Sequence, residues 1–455
     1  MSFPMRDVEF RGSRDAEGEL TWGQRFFWDL YESTPPEDQG NVNVGITTPV
    51  PPGKSVDEVL TAVSWMLSRY EALRTTFFCG ASDDPRQLVH RSGRVGVAMV
   101  ETGDIEGILS HLDDVIRRRP LNLSEMIPVR LALISVEGRP SCILLVASHV
   151  AADGWGLQLI RRDLEQYLTR GSCEPYAGIQ PLDQALFESS DAGRASSKRA
   201  LEYWRTQISR YPSSMYEGIQ LAPAAPRYIE ATLEAPALTI AAREISRRIK
   251  TTPASAVLAA YVLLTAHRAG QRQSNFCLYS GNRFNFSTRE SVGAFSQQSP
   301  ISIETSRDSF TNIVRGAHRS ALSLYRNGAY PPPAAAAILA ESNASWQQPV
   351  ECDSVVNIVS KPVSDVTSQT YADLQSLRKL EACSEFVVQH RYERAGHALN
   401  LRINSDMITV LADTSVYAEE HAEELLRGMQ RTLIAAATGS DSVDELLNTV
   451  RLPVR

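Results

Sequence analysis

His149, Asp153 and Gly154 are the residues of this chain whose types and spacing could do chemistry. An imidazole, with an ordinary pKa of about 6.5, can exchange a proton near neutrality. A carboxylate four residues on supplies a fixed charge, and a glycine admits an approach that a side chain would block. All three sit in the stretch Ser148-His149-Val150-Ala151-Ala152-Asp153-Gly154-Trp155-Gly156. The apolar run Cys142 to Ala147 leads into it, and Leu157, Ile160, Leu164 and Leu168 lead out. Apolar spacing that changes from continuous to i, i+3, i+4 marks a buried strand followed by a helix. The histidine therefore stands where a strand ends. The Asp-Gly pair stands where a helix begins, and free N–H groups there favour negative charge. These residues point to an acid–base site at a strand-to-helix junction.

Competing chemistries fail on spacing. A histidine in an apolar context is more often a hydrogen-bonded core residue than a catalyst, so the surrounding pattern has to carry the case. Ser148 beside His149 suggests a serine–histidine pair, yet neighbouring strand residues point to opposite faces. No GxSxG elbow, HExxH pair, Walker loop or GxGxxG fingerprint occurs, and the other seven histidines are scattered.

The elements that must position this junction make a long chain. At 455 residues it exceeds one ordinary core and predicts two lobes. Its 43% hydrophobic and 22% charged residues are those of a globular protein, and a net charge of -7 argues against nucleic-acid binding. The N-terminus has no apolar core of signal-peptide length, and the longest apolar-rich run, Ala256 to Ala266, is too short to span a bilayer. Six scattered cysteines without a CxxC pair fit reduced thiols and a cytoplasmic setting, with Cys142 and Cys277 as small core hydrophobes.

Thr21 caps a helix whose Phe26, Phe27 and Leu30 face inward, and Ser55-Val56-Asp57-Glu58 forms a capping box for the next. Leu109 to Arg119 predicts a helix. Val129 to Val136 and Cys142 to Ala147 predict strands around a Glu137–Pro140 turn, and the helix from Trp155 ends near Gly171. The small, polar run Ser189 to Ser197 marks the lobe boundary. Beyond it a second α/β pattern follows: helices over Leu238–Ile249, from Pro253, over Thr311–Tyr325 and Ala418–Ala437, with strands at Phe276–Ser280, Ser354–Val359, Leu399–Ile403 and Met407–Leu411. The fold class is α/β (α+β).

His149-Val150-Ala151-Ala152-Asp153-Gly154 resembles the second half of the HHxxxDG signature of nonribosomal peptide synthetase condensation domains, which belong to the chloramphenicol acetyltransferase-like acyltransferases. Other blocks fall in that family's order. Thr21 to Trp28 resembles SxAQxRLW, Arg69 to Phe77 resembles RHExLRTxF, and Tyr203-Trp204 resembles an aromatic pair in a later helix. Gly281-Asn282-Arg283 and Val292-Gly293-Ala294-Phe295 resemble the arginine strand and the GxF block.

The resemblance implies two acetyltransferase-like lobes, residues 1–188 with the SHxxxDG motif and 189–455, in a V-shaped pseudo-dimer with the active site at the lobe junction. It implies a condensation-type acyltransferase of natural-product (antibiotic) biosynthesis, joining an acyl or aminoacyl thioester to an amine or hydroxyl. His149 would deprotonate or orient the nucleophile, and the Gly154 N–H would face the oxyanion. Asp153 would pair with Arg283 to hold the loop, with Ser148 in the place of the family's first histidine. Trp155, Gln297 and Gln298 would contact substrate, the two glutamines standing where FVNT has Asn and Thr.

No metal and no bound cofactor are expected. The donor would arrive on the 4′-phosphopantetheine arm of a separate peptidyl or acyl carrier protein, and the acceptor would be a small-molecule amine or alcohol. The chain is expected to be a free-standing enzyme (or an excised domain), monomeric, binding neither nucleic acid nor membrane. Arg117-Arg118-Arg119, Arg161-Arg162 and Arg247-Arg248 offer patches for an acidic carrier, or solvated helix faces. A coenzyme-A-dependent acyltransferase of the same superfamily, or a degenerate recruitment module favoured by Ser148, are the alternatives.

Overall fold

In a computed structural model the described residues are 3–80, 84–212, 214–284, 286–305, 309–345, 352–359, 374–404 and 406–454. They pack into two compact units. The first comprises Met1–Lys198, Gly281–Gln297 and Ala329–Pro332, and the second Arg199–Ser280, Gln298–Gly328 and Pro333–Arg455.

The first unit is built on a five-stranded sheet in the order Met5–Arg11, Ser92–Glu101, Val129–Val136, Arg139–Ser148, Asn43–Pro49. The Val129–Val136 and Arg139–Ser148 strands form a hairpin whose turn places Glu137 and Gly138 at φ 51° and 73°, the left-handed pair that a right-twisted hairpin requires. The last strand pairs antiparallel with Asn43–Pro49, Ser148 lying opposite Asn43. One apolar cluster joins this sheet to the helices Val56–Arg69 and Gly154–Arg170, through Val59, Met66, Leu67, Leu145, Leu157 and Ile160. Both capping predictions correspond to observed boxes, Thr21 with Gln24 and Ser55 with Glu58. Gly171 closes the Gly154–Arg170 helix at φ 70°.

The block Arg69 to Phe77 is a buried charge network. Arg69 meets Asp163, which also accepts from the Tyr70 hydroxyl at 2.6 Å. Glu71 accepts a two-pronged contact from Arg14 at 2.8 and 2.9 Å, and the buried Arg74 donates to the carbonyl of His90. Each buried charge has a counter-charge or a carbonyl, which is the condition for keeping charges inside a core. This block is scaffold.

The second unit carries a seven-stranded sheet in the order Gln297–Glu304, Gln273–Ser280, Ser354–Val359, Leu399–Asn404, Met407–Asp413, Tyr228–Glu234, Phe386–Tyr392. Its core gathers the helices Pro236–Ile249, Pro253–Arg268, Phe310–Arg326 and Glu419–Ala437. Among the described residues no single helix is long and apolar enough to cross a membrane. The bent pair Pro236–Ile249 and Pro253–Arg268 passes that test jointly, but its apolar side chains lie in this core.

Several expectations need correction. The sequence places the division at 188/189. The units divide at Lys198, and Gly281–Gln297 belongs with the first unit. The small polar stretch from Ser189 opens a helix, Asp191–Ile208, in which Ser190 accepts from the N–H of Gly193. Serine, alanine and aspartate are as much a helix start as a linker. The helix expected over Leu109–Arg119 runs Ile105–Leu112 and then widens into a π-turn over Asp113–Arg117. Ahead of the Thr21 cap, Met5–Arg11 adds an edge strand to the sheet.

Cys277 is also misread. It forms a disulfide with Cys352, S–S 2.09 Å, while Cys79, Cys142, Cys173 and Cys383 are free. Parallel pairing sets Cys277 opposite Val355, so two cysteines 75 residues apart meet. Nothing in their sequence spacing carries that contact.

Candidate active site

Antiparallel pairing carries the chain straight to Ser148 and stops there. The N–H of His149 still donates to the carbonyl of Val42 at 3.1 Å, but the next residues turn, with Ala151 and Ala152 both donating to the carbonyl of Ser148. The Ser148 side chain is buried and its oxygen accepts from the N–H of Val150 at 3.3 Å. Ser148 thus folds the loop, and its hydroxyl is turned to the main chain ahead of it.

Asp153 is the fixed point. It caps the Gly154–Arg170 helix, its Oδ1 accepting from Gly156 at 3.0 Å. Arg283 grips it with two parallel bonds of 2.6 and 2.8 Å. Its Oδ2 also accepts from the N–H groups of Phe295 and Ser296, each at 3.0 Å, and from the Ser296 hydroxyl at 2.9 Å. Burial pushes this carboxyl up. The Arg283 charge and bonds, with the Gly156 and Phe295 N–H groups, outweigh burial and hold it below the usual range. Arg283 stays in place by donating also to the carbonyls of Gly281 and Gly293 and by lying 4.7 Å over the Phe295 ring. One side chain therefore ties a helix start to the Val292–Ser296 loop.

His149 is treated in the opposite way. The residue is half-buried, its Nδ1 is enclosed, and among the described residues no other residue gives that atom a hydrogen-bond partner. Burial draws its pKa down to about 4, against the upward pull of Asp153 and of its own main chain. The imidazole is therefore neutral at pH 7. Its fixed neighbour is an aromatic ring: Phe27 stacks on it with centroids 3.7 Å apart and planes 14° apart.

Gly154 is exposed at the first position of its helix, and a side chain built there would meet nothing within 4 Å. Its backbone is in ordinary helical territory, so the missing side chain keeps space open and does not relieve strain. Its N–H is one of the orphan donors at the start of a helix. Trp155 spends its indole N–H on the carbonyl of Arg289 at 2.8 Å. Gln297 is buried and clamps Tyr330, donating to its carbonyl at 2.8 Å and accepting from its N–H at 3.3 Å. Gln298 belongs to the second unit, where its amide donates to the Tyr279 hydroxyl.

The structure brings His149, Asp153, Gly154 and Arg283 into one loop system. It commits the polar groups of Trp155 and Gln297 to neighbouring main chain. Of the arginine patches, Arg117 and Arg118 pair with Asp113, Arg161 with Glu165, Arg162 with Asp163 and Glu290, and Arg247 with Glu244. The residues missed from sequence are Phe27 and Ser296. The Thr21–Trp28 block drew attention to that helix, but nothing in it separates Phe27 from Phe26.

Among the described residues no group of three or more histidine, cysteine, aspartate or glutamate side chains could hold a metal ion. The family model described as Condensation domain matches residues 39–451. Over 335 residues the chain is 23% identical to the polyketide synthase-nonribosomal peptide synthetase ffsA of Aspergillus flavipes, covering 69% of this chain and 8% of that protein. Over 310 residues it is 27% identical to the phosphinothricin tripeptide synthetase PhsC of Streptomyces viridochromogenes, covering 63% of this chain and 27% of that one. The chain thus spans a small part of the length of the relatives it matches. Its fold is shared with the condensation domain from the monacolin K polyketide synthase MokA (TM-score 0.72, 17% identity, 93% and 98% of the two chains). It is shared likewise with the first condensation domain of the calcium-dependent antibiotic synthetase (TM-score 0.69, 16% identity, 94% and 98%).

Proposed function

This chain belongs to the condensation-domain family, whose members are acyltransferases that form amide or ester bonds, and from that premise we propose that His149 is the base of such a transfer. The donor in this reading is an acyl or aminoacyl thioester on the 4′-phosphopantetheine arm of a carrier protein, and the acceptor a small amine or alcohol. The setting is natural-product biosynthesis.

The observation that carries the reading is the contrast in hydrogen bonding at the junction: a saturated Asp153 beside a neutral His149 whose Nδ1 meets no other described residue. With Nδ1 enclosed, Nε2 is the edge left to meet a ligand. The nucleophile attacks the thioester carbonyl as its N–H or O–H proton moves to Nε2. The tetrahedral oxyanion meets the open helix start at Gly154, the C–S bond breaks, and the proton passes to the leaving thiolate. Asp153 and Arg283 touch neither reactant in this scheme and hold the loop.

The test uses a panel of aminoacyl- and fatty-acyl-pantetheine thioesters and the matching coenzyme-A thioesters, with amine and alcohol acceptors and product read by mass. The expected result is turnover with pantetheine donors, reduced about 10²–10⁴-fold in His149→Ala. Transfer at the wild-type rate by that variant sinks the role of His149. Turnover confined to coenzyme-A donors replaces the carrier, and no turnover with any pair leaves the recruitment module.

A further inference from the structure

A general base is usually held by a third group that hydrogen-bonds its far nitrogen. No other described residue does this for Nδ1 of His149. Beyond the pull of its own main chain, the imidazole is fixed by a face-on contact. We propose that Phe27 is the positioning residue of this site: its ring sets the plane of the His149 imidazole, closes one face to water, and leaves the Nε2 edge open. The proposal rests on the reading of His149 as the base.

Three features separate this contact from ordinary core packing. First, aromatic pairs in cores favour offset or edge-on arrangements with centroids about 4.5–7 Å apart, as Phe27 makes with Phe26 at 5.0 Å and 81°. The 3.7 Å parallel approach to His149 is closer, and it fixes the tilt of the imidazole about both axes of its plane. Second, Phe27 is fully buried in the helix Trp22–Ser33, and that helix is fastened at its start. Thr21 and Gln24 cap each other, the Trp22 N–H donates to Glu188, and the Gln24 amide donates to Gln87. Third, the fastening reaches the loop that Asp153 holds. A side chain at Gly23 would lie 2.2 Å from the carbonyl oxygen of Ala294, so the helix touches the main chain next to the Asp153 ligands Phe295 and Ser296. The base and its supporting carboxylate are thus referred to one frame.

The ring also bears on proton affinity. The charged group acting on His149 is Asp153, itself neutralised by Arg283. Removing the aromatic face admits water and eases protonation, so the acidic limb of the rate moves up from about 4 toward the ordinary 6.5.

The experiment compares wild type, Phe27→Leu and Phe27→Tyr with the most active donor–acceptor pair of the panel above. Histidine ring proton resonances are recorded in parallel, that of His149 being the one missing in His149→Ala. In wild type this resonance is expected upfield, under the Phe27 ring current. Phe27→Leu is expected to release it, to lower kcat about 2- to 12-fold with KM within twofold, and to raise the acidic limb of kcat/KM. Phe27→Tyr, which keeps the ring face, is expected to retain all three properties. A His149 resonance without an upfield displacement in wild type overturns the proposal with no variant needed. So does a Phe27→Leu enzyme with unchanged kcat and pH profile. An active His149→Ala enzyme instead overturns the reading of the base, while the resonance still reports the stack.

Discussion

Two carboxylates of the first unit, Asp153 and Glu188, are both buried and both accept a main-chain N–H at the start of a helix that serves the site. They end on opposite sides of the usual range. Asp153 has Arg283, two further main-chain donors and a hydroxyl, and it stays ionised. Glu188 has the Trp22 N–H at 2.6 Å and the Gln184 amide at 2.8 Å, with no cation acting on it among the described residues, and burial lifts it to about 8. Burial alone therefore does not decide the charge of a capping carboxylate; the presence of a matched cation does. The helix beside His149 is tied by a permanent ion. The helix that carries Phe27 is tied by a group that titrates.

Asp153→Asn should break this contrast most severely. It strands Arg283 in the interior, and losing one partner of a buried pair costs about 3–5 kcal/mol. Chemical denaturation should show a loss of that size, with transfer activity lost in the same variant. A loss below about 1 kcal/mol would mean that Arg283 finds other partners and that Asp153 is not the tie.

Gly154→Ala probes the space that Asp153 keeps open. The added methyl meets open space, so stability should hold or rise by up to about 1 kcal/mol. Transfer should fall at least about tenfold, as the methyl intrudes where the oxyanion approaches the helix start. Full activity in a stable variant would remove Gly154 from the site.

Glu188→Gln tests the titrating tie. A carboxyl raised from 4.5 to about 8 contributes stability that is present below 4.5 and lost as pH rises through 8. The wild type should therefore lose up to about 1.4 kcal/mol per pH unit in that window, relative to a variant that cannot ionise. Denaturation midpoints at pH 6 and pH 8 should show Glu188→Gln gaining on wild type at the higher pH. A pH-independent difference would place Glu188 beside a cation.

The first unit's architecture was legible where period and capping agree. The apolar run into Ser148, the helix start at Asp153-Gly154 and the stop at Gly171 all act within a few residues, and the observed elements follow them within one to three positions. Apart from the hairpin around Glu137–Pro140, the strand pairings were not legible, nor were the division at Lys198 and the Cys277–Cys352 link. They join residues tens to hundreds of positions apart, where local spacing has no signal. The same holds inside the site. The ordered motifs named Asp153 and Arg283 together, but not the six bonds on one carboxylate, and they ranked Trp155 and Gln297 without showing that their polar groups are spent on Arg289 and Tyr330.

The sequence by itself determined that a histidine would end a buried strand and that an Asp-Gly pair would start the next helix, because strand and helix periods and helix caps are local rules. The tertiary structure alone decided which of these groups would be satisfied and which left free. That depends on whether a cation or a ring from elsewhere in the chain arrives at hydrogen-bonding or stacking distance. Arg283 reaches Asp153 and saturates it, while Phe27 reaches His149 and stacks on its face.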